Sequence, residues 1–157
     1  MFRISKLTDY GIVVMTYLAE NQEGLYSAKD IAEATQLTLP TVTKLLKVLT
    51  REALLNSQRG VTGGYSLAKS PDQITVAAII QAIEGNLGLT DCAAIDSQCT
   101  LEPVCHTRRT WRLISQVIHD ALDSITLGQM ATPMTPINLL IQMNQNQVEN
   151  KVGENHD

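Results

Sequence analysis

The sequence predicts a mainly α-helical fold with a small β-hairpin, arranged as a winged helix-turn-helix followed by a long helix. Three observations carry that expectation. Two helix-start signals follow one another, at Ser27 and at Thr38. A glycine-rich turn, Gly60-Val61-Thr62-Gly63-Gly64, separates two short strand-like runs, and apolar residues recur at heptad spacing from Trp111 to Ile125. With 44% hydrophobic and 18% charged residues in 157, there is enough apolar side chain to bury a core, which excludes wholesale disorder. No apolar run approaches a bilayer span, and the opening MFRISKLTDYG lacks the charged-then-apolar form of a signal peptide. A cytoplasmic chain with no membrane partner is expected.

Residues 6–20 place Leu7, Tyr10, Val13, Val14, Tyr17 and Leu18 on one face at helical spacing, ended by Asn21 to Gly24. A second helix starts at Ser27, whose hydroxyl can cap the free amides. Asp30 stands at the capping-box position, and Tyr26 can staple onto Ile31. The same grammar repeats with Thr38 as cap, Pro40 in the first turn and a Leu37–Val42 staple. This third helix turns Val42, Leu45, Leu46 and Leu49 inward and Thr41, Thr43, Lys44, Lys47 and Arg51 outward. Taken alone, the pair also fits an ordinary helical hairpin with a solvated face.

The next run favours the helix-turn-helix. Residues 54–59 and 65–68 read as two strands around the glycine-rich turn, which puts Arg59 at the tip of a hairpin directly after a basic helix. That is the grammar of a wing. The helix would enter the major groove of double-stranded DNA while the wing reaches the backbone or minor groove. Net charge is −4, yet residues 1–70 carry eight Lys/Arg against six Asp/Glu, while residues 71–157 carry four against ten. A local basic face on an acidic protein suffices for a phosphate footprint. Ser70-Pro71-Asp72 then breaks the chain, and Thr75 caps a further helix that Gly85 closes.

Residues 86–105 lack periodicity and contain all three cysteines, as Cys92-x6-Cys99-x5-Cys105, followed at once by His106. The spacing is too wide for a CxxC redox pair, and an odd cysteine count in a cytoplasmic chain fits metal ligation better than disulfides. From His106 a helix carries Trp111, Ile114, Ile118, Ala121 and Ile125 at alternating spacings of three and four, flanked by Val117 and Leu122. Such a stripe predicts a dimer interface with a second copy. The resulting division is a winged head over 1–85, a cysteine loop over 86–105, a dimerisation helix over 106–130 and a flexible tail over 131–157. No P-loop, GxSxG, HExxH or GxGxxG is present, and His119-Asp120 falls on the predicted dimer helix as a surface pair, so no enzyme is expected.

KLTDYG near the N-terminus, RGVTGGY in the wing and three cysteines before a Trp-bearing helix together resemble the iron–sulfur-sensing winged-helix regulators of the IscR and NsrR type. The likeness spans roughly residues 2–130 and is nearest to the branch that regulates SUF-type cluster assembly. It implies a homodimeric transcriptional regulator, a repressor in its feedback form, that binds a promoter operator and holds an iron–sulfur cluster. A 2Fe–2S cluster is favoured and 4Fe–4S is allowed. Carried over by motif, Cys92, Cys99 and Cys105 are the cluster thiolates. DNA contacts fall to Ser27, Thr38, Pro40, Thr41, Thr43, Lys44 and Lys47, with Arg59, Gly63, Gly64 and Tyr65 in the wing. Two departures matter. The first cysteine gap is one or two residues longer than in those relatives, and Arg108 stands where IscR-type members have a histidine. The fourth ligand is therefore open between Asp9 of a partner subunit, as in NsrR-type members, and His106. The same thiols with His106 also suit a Cys3His zinc site, and a nitric-oxide-responsive regulator is a further alternative.

Overall fold

A computed structural model describes residues 4–85 and 107–132. Cys92, Cys99, Cys105 and His106, and the tail from 133, lie outside the described residues. In chain order the helices are α1 (Lys6–Glu20), α2 (Ala28–Thr35), α3 (Leu39–Arg51), α4 (Val76–Glu84), α5 (Arg108–Asp123) and α6 (Leu127–Ala131). Strands β1 (Leu55–Gln58) and β2 (Gly64–Leu67) lie between α3 and α4, with a 3-10 turn at Pro71–Gln73. The expected mainly helical fold with one hairpin is the observed one.

Local chemistry sets most boundaries. At α1, Ser5 supplies the cap by accepting the Thr8 amide at 3.2 Å, which leaves Asp9 free of that task. The Ser27–Asp30 capping box at α2 is complete: the Asp30 amide donates to Ser27 Oγ at 3.2 Å and the Ser27 amide to Asp30 Oδ2 at 2.9 Å. Thr38 occupies the cap position of α3 without a capping hydrogen bond, contrary to expectation. Its hydroxyl is 2.8 Å from that of Thr41 instead. Thr75 caps α4 by accepting the Ala78 amide at 3.2 Å, and Gly85 ends it at φ 85°.

The core joins Val14, Met15 and Leu18 of α1, Ile31 of α2, Val42, Leu45, Leu46 and Leu49 of α3, and Leu54, Leu55, Ile74 and Ile79. Leu127 belongs to it too, fully buried. This corrects the expectation of a single dimerisation helix over 106–130. α5 stops at Asp123, and the chain turns back so that α6 docks on α1 and the Pro71 turn. Three hydrogen bonds fix the return: Thr75 Oγ1 to Asp123 Oδ1 at 2.8 Å, the Val76 amide to the Ile125 carbonyl at 2.8 Å, and the Leu127 amide to the Ile74 carbonyl at 2.7 Å.

Candidate functional site

α2, a short turn and α3 form the helix-turn-helix. Gln36, at the turn, takes a left-handed conformation (φ 57°), the backbone reversal that lets α3 follow α2 after three residues. Because α3 buries Val42, Leu45, Leu46 and Leu49, the opposite face is left outside, where Leu39, Pro40, Thr43, Lys44, Lys47 and Val48 line a shallow, mainly apolar hollow. Lys44 and Lys47 are exposed, and among the described residues neither has an ion-pair partner. Arg51 differs: its guanidinium Nε lies 2.9 Å from Glu52 Oε1, so part of its charge is neutralised locally. Two unneutralised ammonium groups on one helix face are what an anionic partner requires.

β1 and β2 pair antiparallel with Ser57 opposite Tyr65 and Gln58 opposite Gly64, leaving residues 59–63 as the wing tip. Arg59 is exposed there, and Val61 is fully exposed. The glycines serve construction. A Cβ on Gly63 would lie 2.2 Å from the Gln58 carbonyl oxygen, and one on Gly64 would lie 2.8 Å from Tyr26 backbone atoms. That close approach lets Tyr26 bridge to Tyr65 through two amide–carbonyl hydrogen bonds, at 3.2 and 2.9 Å. Gly64 is buried and Tyr65 packs on the core, so both position the wing from behind, whereas Arg59 lies at its surface. Ser27 likewise spends its side chain on capping: beyond accepting the Asp30 amide, its hydroxyl donates to Asp30 Oδ2 at 2.7 Å.

Among the described residues no three His, Cys, Asp or Glu side chains converge. Asp9 is exposed in the first turn of α1. Next to it, buried Thr8 donates its hydroxyl to Glu84 Oε1, and the Ser5 amide donates to the same oxygen at 3.3 Å. These hydrogen bonds from Ser5 and Thr8 hold the Glu84 carboxyl below its usual range, against a smaller opposing effect of burial. They tie the start of α1 to the end of α4, the last described turn before the cysteines. Sequence reading missed this clamp, because nothing local announces a contact across 76 residues.

On α5 no residue is buried. Trp111 and Ile114 of the expected stripe are exposed, and Leu113 and Val117 are more so, at 60% and 68%. Ile118 and Ala121 are half-buried, and Ile125 lies beyond the helix end, so the uncovered stripe is shorter than the heptad spacing predicts and is shifted toward Leu113 and Val117. His119 and Asp120 sit at the surface, 3.7 Å apart.

A helix-turn-helix with a basic outer face, backed by a β-wing, defines a winged-helix DNA-binding regulator. The chain belongs to the Rrf2 family, described as iron-dependent transcriptional regulators, whose pattern matches residues 4–133. It is 29% identical over 142 residues to the HTH-type transcriptional regulator NsrR of Geobacillus kaustophilus, covering 89% of this chain and 97% of that one. Among solved structures it resembles CymR, the global cysteine regulator of B. subtilis (TM-score 0.65, 32% identity, 83% of this chain and 97% of that one). It also resembles IscR of T. potens (TM-score 0.63, 35% identity, 82% and 85%). The resemblance to iron–sulfur-sensing regulators stands, and the chain is a regulator rather than an enzyme. No helix among the described residues is long and apolar enough to cross a membrane.

Proposed function

We propose that the chain is an iron–sulfur-cluster-dependent repressor of SUF-type cluster-assembly genes, working in the cytoplasm and binding its operator as a homodimer. The observation that carries this reading is the position of Cys92, Cys99 and Cys105, the chain's whole cysteine complement, between the winged head and α5. Three thiols and one weaker donor suit an iron–sulfur cluster, and the weaker ligand makes one corner labile. When bound, the cluster supplies a redox- and ligand-sensitive centre that oxygen, nitric oxide or iron shortage can strip.

For the fourth ligand, Asp9 of the partner subunit is supported by its exposure and by Ser5 having taken over the capping of α1. His106 is the competing donor. The exposed apolar stripe of α5 supports a homodimer, in which a second copy would cover Leu113 and Val117 and set the spacing of the two recognition helices. Loss of cluster would then change DNA affinity by changing that spacing.

Anaerobic purification tests the cofactor. A brown protein carrying iron and acid-labile sulfide is expected, with the iron count separating 2Fe–2S from 4Fe–4S. A colourless protein carrying zinc would overturn it in favour of the Cys3His reading. A second possibility is a regulator answering to thiol status without metal, prompted by the likeness to CymR, a cysteine regulator; a metal-free protein with unaltered promoter binding would favour it. Replacing all three cysteines by alanine is expected to leave a folded protein with altered affinity for the assembly-gene promoter. Cluster lifetime in Asp9→Ala and His106→Ala variants chooses the fourth ligand.

A further inference from the structure

Leu39 is the first residue of α3, the point from which a recognition helix addresses base edges. It lies off the buried stripe of that helix and is 47% exposed. Of the large apolar side chains among the described residues outside α5, only Val61, at the wing tip, is more open to solvent. The neighbouring Leu37 packs against the core, so the local sequence had an apolar site available and Leu39 does not use it. A large aliphatic group held on the surface forgoes the stabilisation of burial unless a partner covers it. Beside it on the same face stand Lys44 and Lys47, which select an anionic partner. The ammonium pair beside it fits the phosphates of a duplex, on which an aliphatic side chain can also find an apolar base edge.

In the major groove one base presents an apolar group: thymine, through its C5-methyl. Lysines of a recognition helix reach phosphates or guanine edges, and threonines such as Thr43 serve any base. Resting on the assignment of α3 to the major groove, we infer that Leu39 reads a thymine methyl in each operator half-site, making it a specificity-determining residue. Alanine at this position keeps a good helix former in the first turn and truncates a side chain that is about half exposed and lies off the buried stripe, so the fold is retained.

The test uses the full chain. A random duplex pool is selected against the wild-type protein, and each thymine of the selected site is replaced singly by deoxyuridine, which deletes only the methyl. The wild-type protein is expected to lose affinity about fourfold when the methyl is removed from one half-site and about fifteenfold when it is removed from both, the worth of one and of two buried carbons. Leu39→Ala, which removes the contact in both subunits, is expected to bind the thymine duplex about fifteenfold more weakly and to ignore the uracil change at that position. Lys47→Ala should weaken both duplexes equally and keep the uracil penalty. A flat uracil scan for the wild type, a selected site without thymine, or a Leu39→Ala variant that keeps the penalty would overturn the inference while leaving DNA binding intact. If no duplex is enriched at all, the assignment of α3 to DNA fails first.

Discussion

Leu127→Ala probes whether the residues after α5 are part of the head. The side chain is completely buried within the core shared by α1, α3 and the Ile74 segment. Truncation removes three carbons, worth about 0.8 kcal/mol each, or about 2.4 kcal/mol in transfer alone. The cavity left behind adds to this, so the expected loss is about 3 kcal/mol, inside the range of roughly 2–5 known for such changes. α6 is only five residues long and owes its place to this contact, so its docking should loosen along with the local core. Urea unfolding followed by far-UV circular dichroism, at one fixed protein concentration, measures the change. Leu113→Ala, on the exposed stripe, serves as the comparison at a protein concentration low enough to suppress association. A midpoint shift for Leu127→Ala equivalent to less than about 1 kcal/mol would refute the placement of α6 in the core, since an exposed or loosely held leucine costs no more than that.

Three other expectations are equally direct. Gly64→Ala forces a carbon against the Tyr26 backbone, so it should cost about 1–3 kcal/mol and loosen the Tyr26–Tyr65 bridge, seen as faster amide exchange at both residues. Leu113→Glu with Val117→Glu places charge on the uncovered face of α5 and should shift the protein to monomer in sedimentation, leaving the head's melting temperature unchanged. The Asp30 carboxyl is held below its usual range, first by the Ser27 hydroxyl and then by the Ser27 amide. A depressed folded value means the capping box stabilises fully above the unfolded carboxylate value of about 3.9 and loses that contribution as pH falls through the lower folded value. The gap in melting temperature between wild type and Asp30→Asn should accordingly be constant at neutral pH and close in acid.

Where side chains act on their immediate neighbours, the sequence was a sound guide. The Ser27-x-x-Asp30 spacing announces its box, the inward stripe of α3 announces its burial, and the glycines between Arg59 and Tyr65 announce the wing. Long-range pairing is another matter. Glu84 meets Ser5 and Thr8 through tertiary geometry alone, and no local rule identifies a carboxylate at a helix end as a clamp. α6 is too short to show periodicity, although Thr126-x-x-Gln129 is a capping box, fully formed in the structure, that marks a new start after α5. Heptad spacing ran across that break because Ile125 matches the period without being helical. No expectation fell on Leu39, because an aliphatic residue beside a proline says nothing by itself about exposure.

The anchoring of α5 at its far end makes it a pointer. Its 16 residues span about 24 Å, held at Asp123 by Thr75 and followed at once by the Ile125–Val76 and Leu127–Ile74 pairings. A tilt of about 10° at that anchor would carry the opposite tip, at Arg108, through about 4 Å. The tip is where the cysteine segment joins, and the segment's other end departs from α4, itself tethered to α1 by Glu84. If the cluster proposed above drew the two attachment points together by a few ångströms, α5 would turn about its anchor by about 10°. With two copies joined along their α5 helices, the pair of heads would open or close like calipers on the duplex.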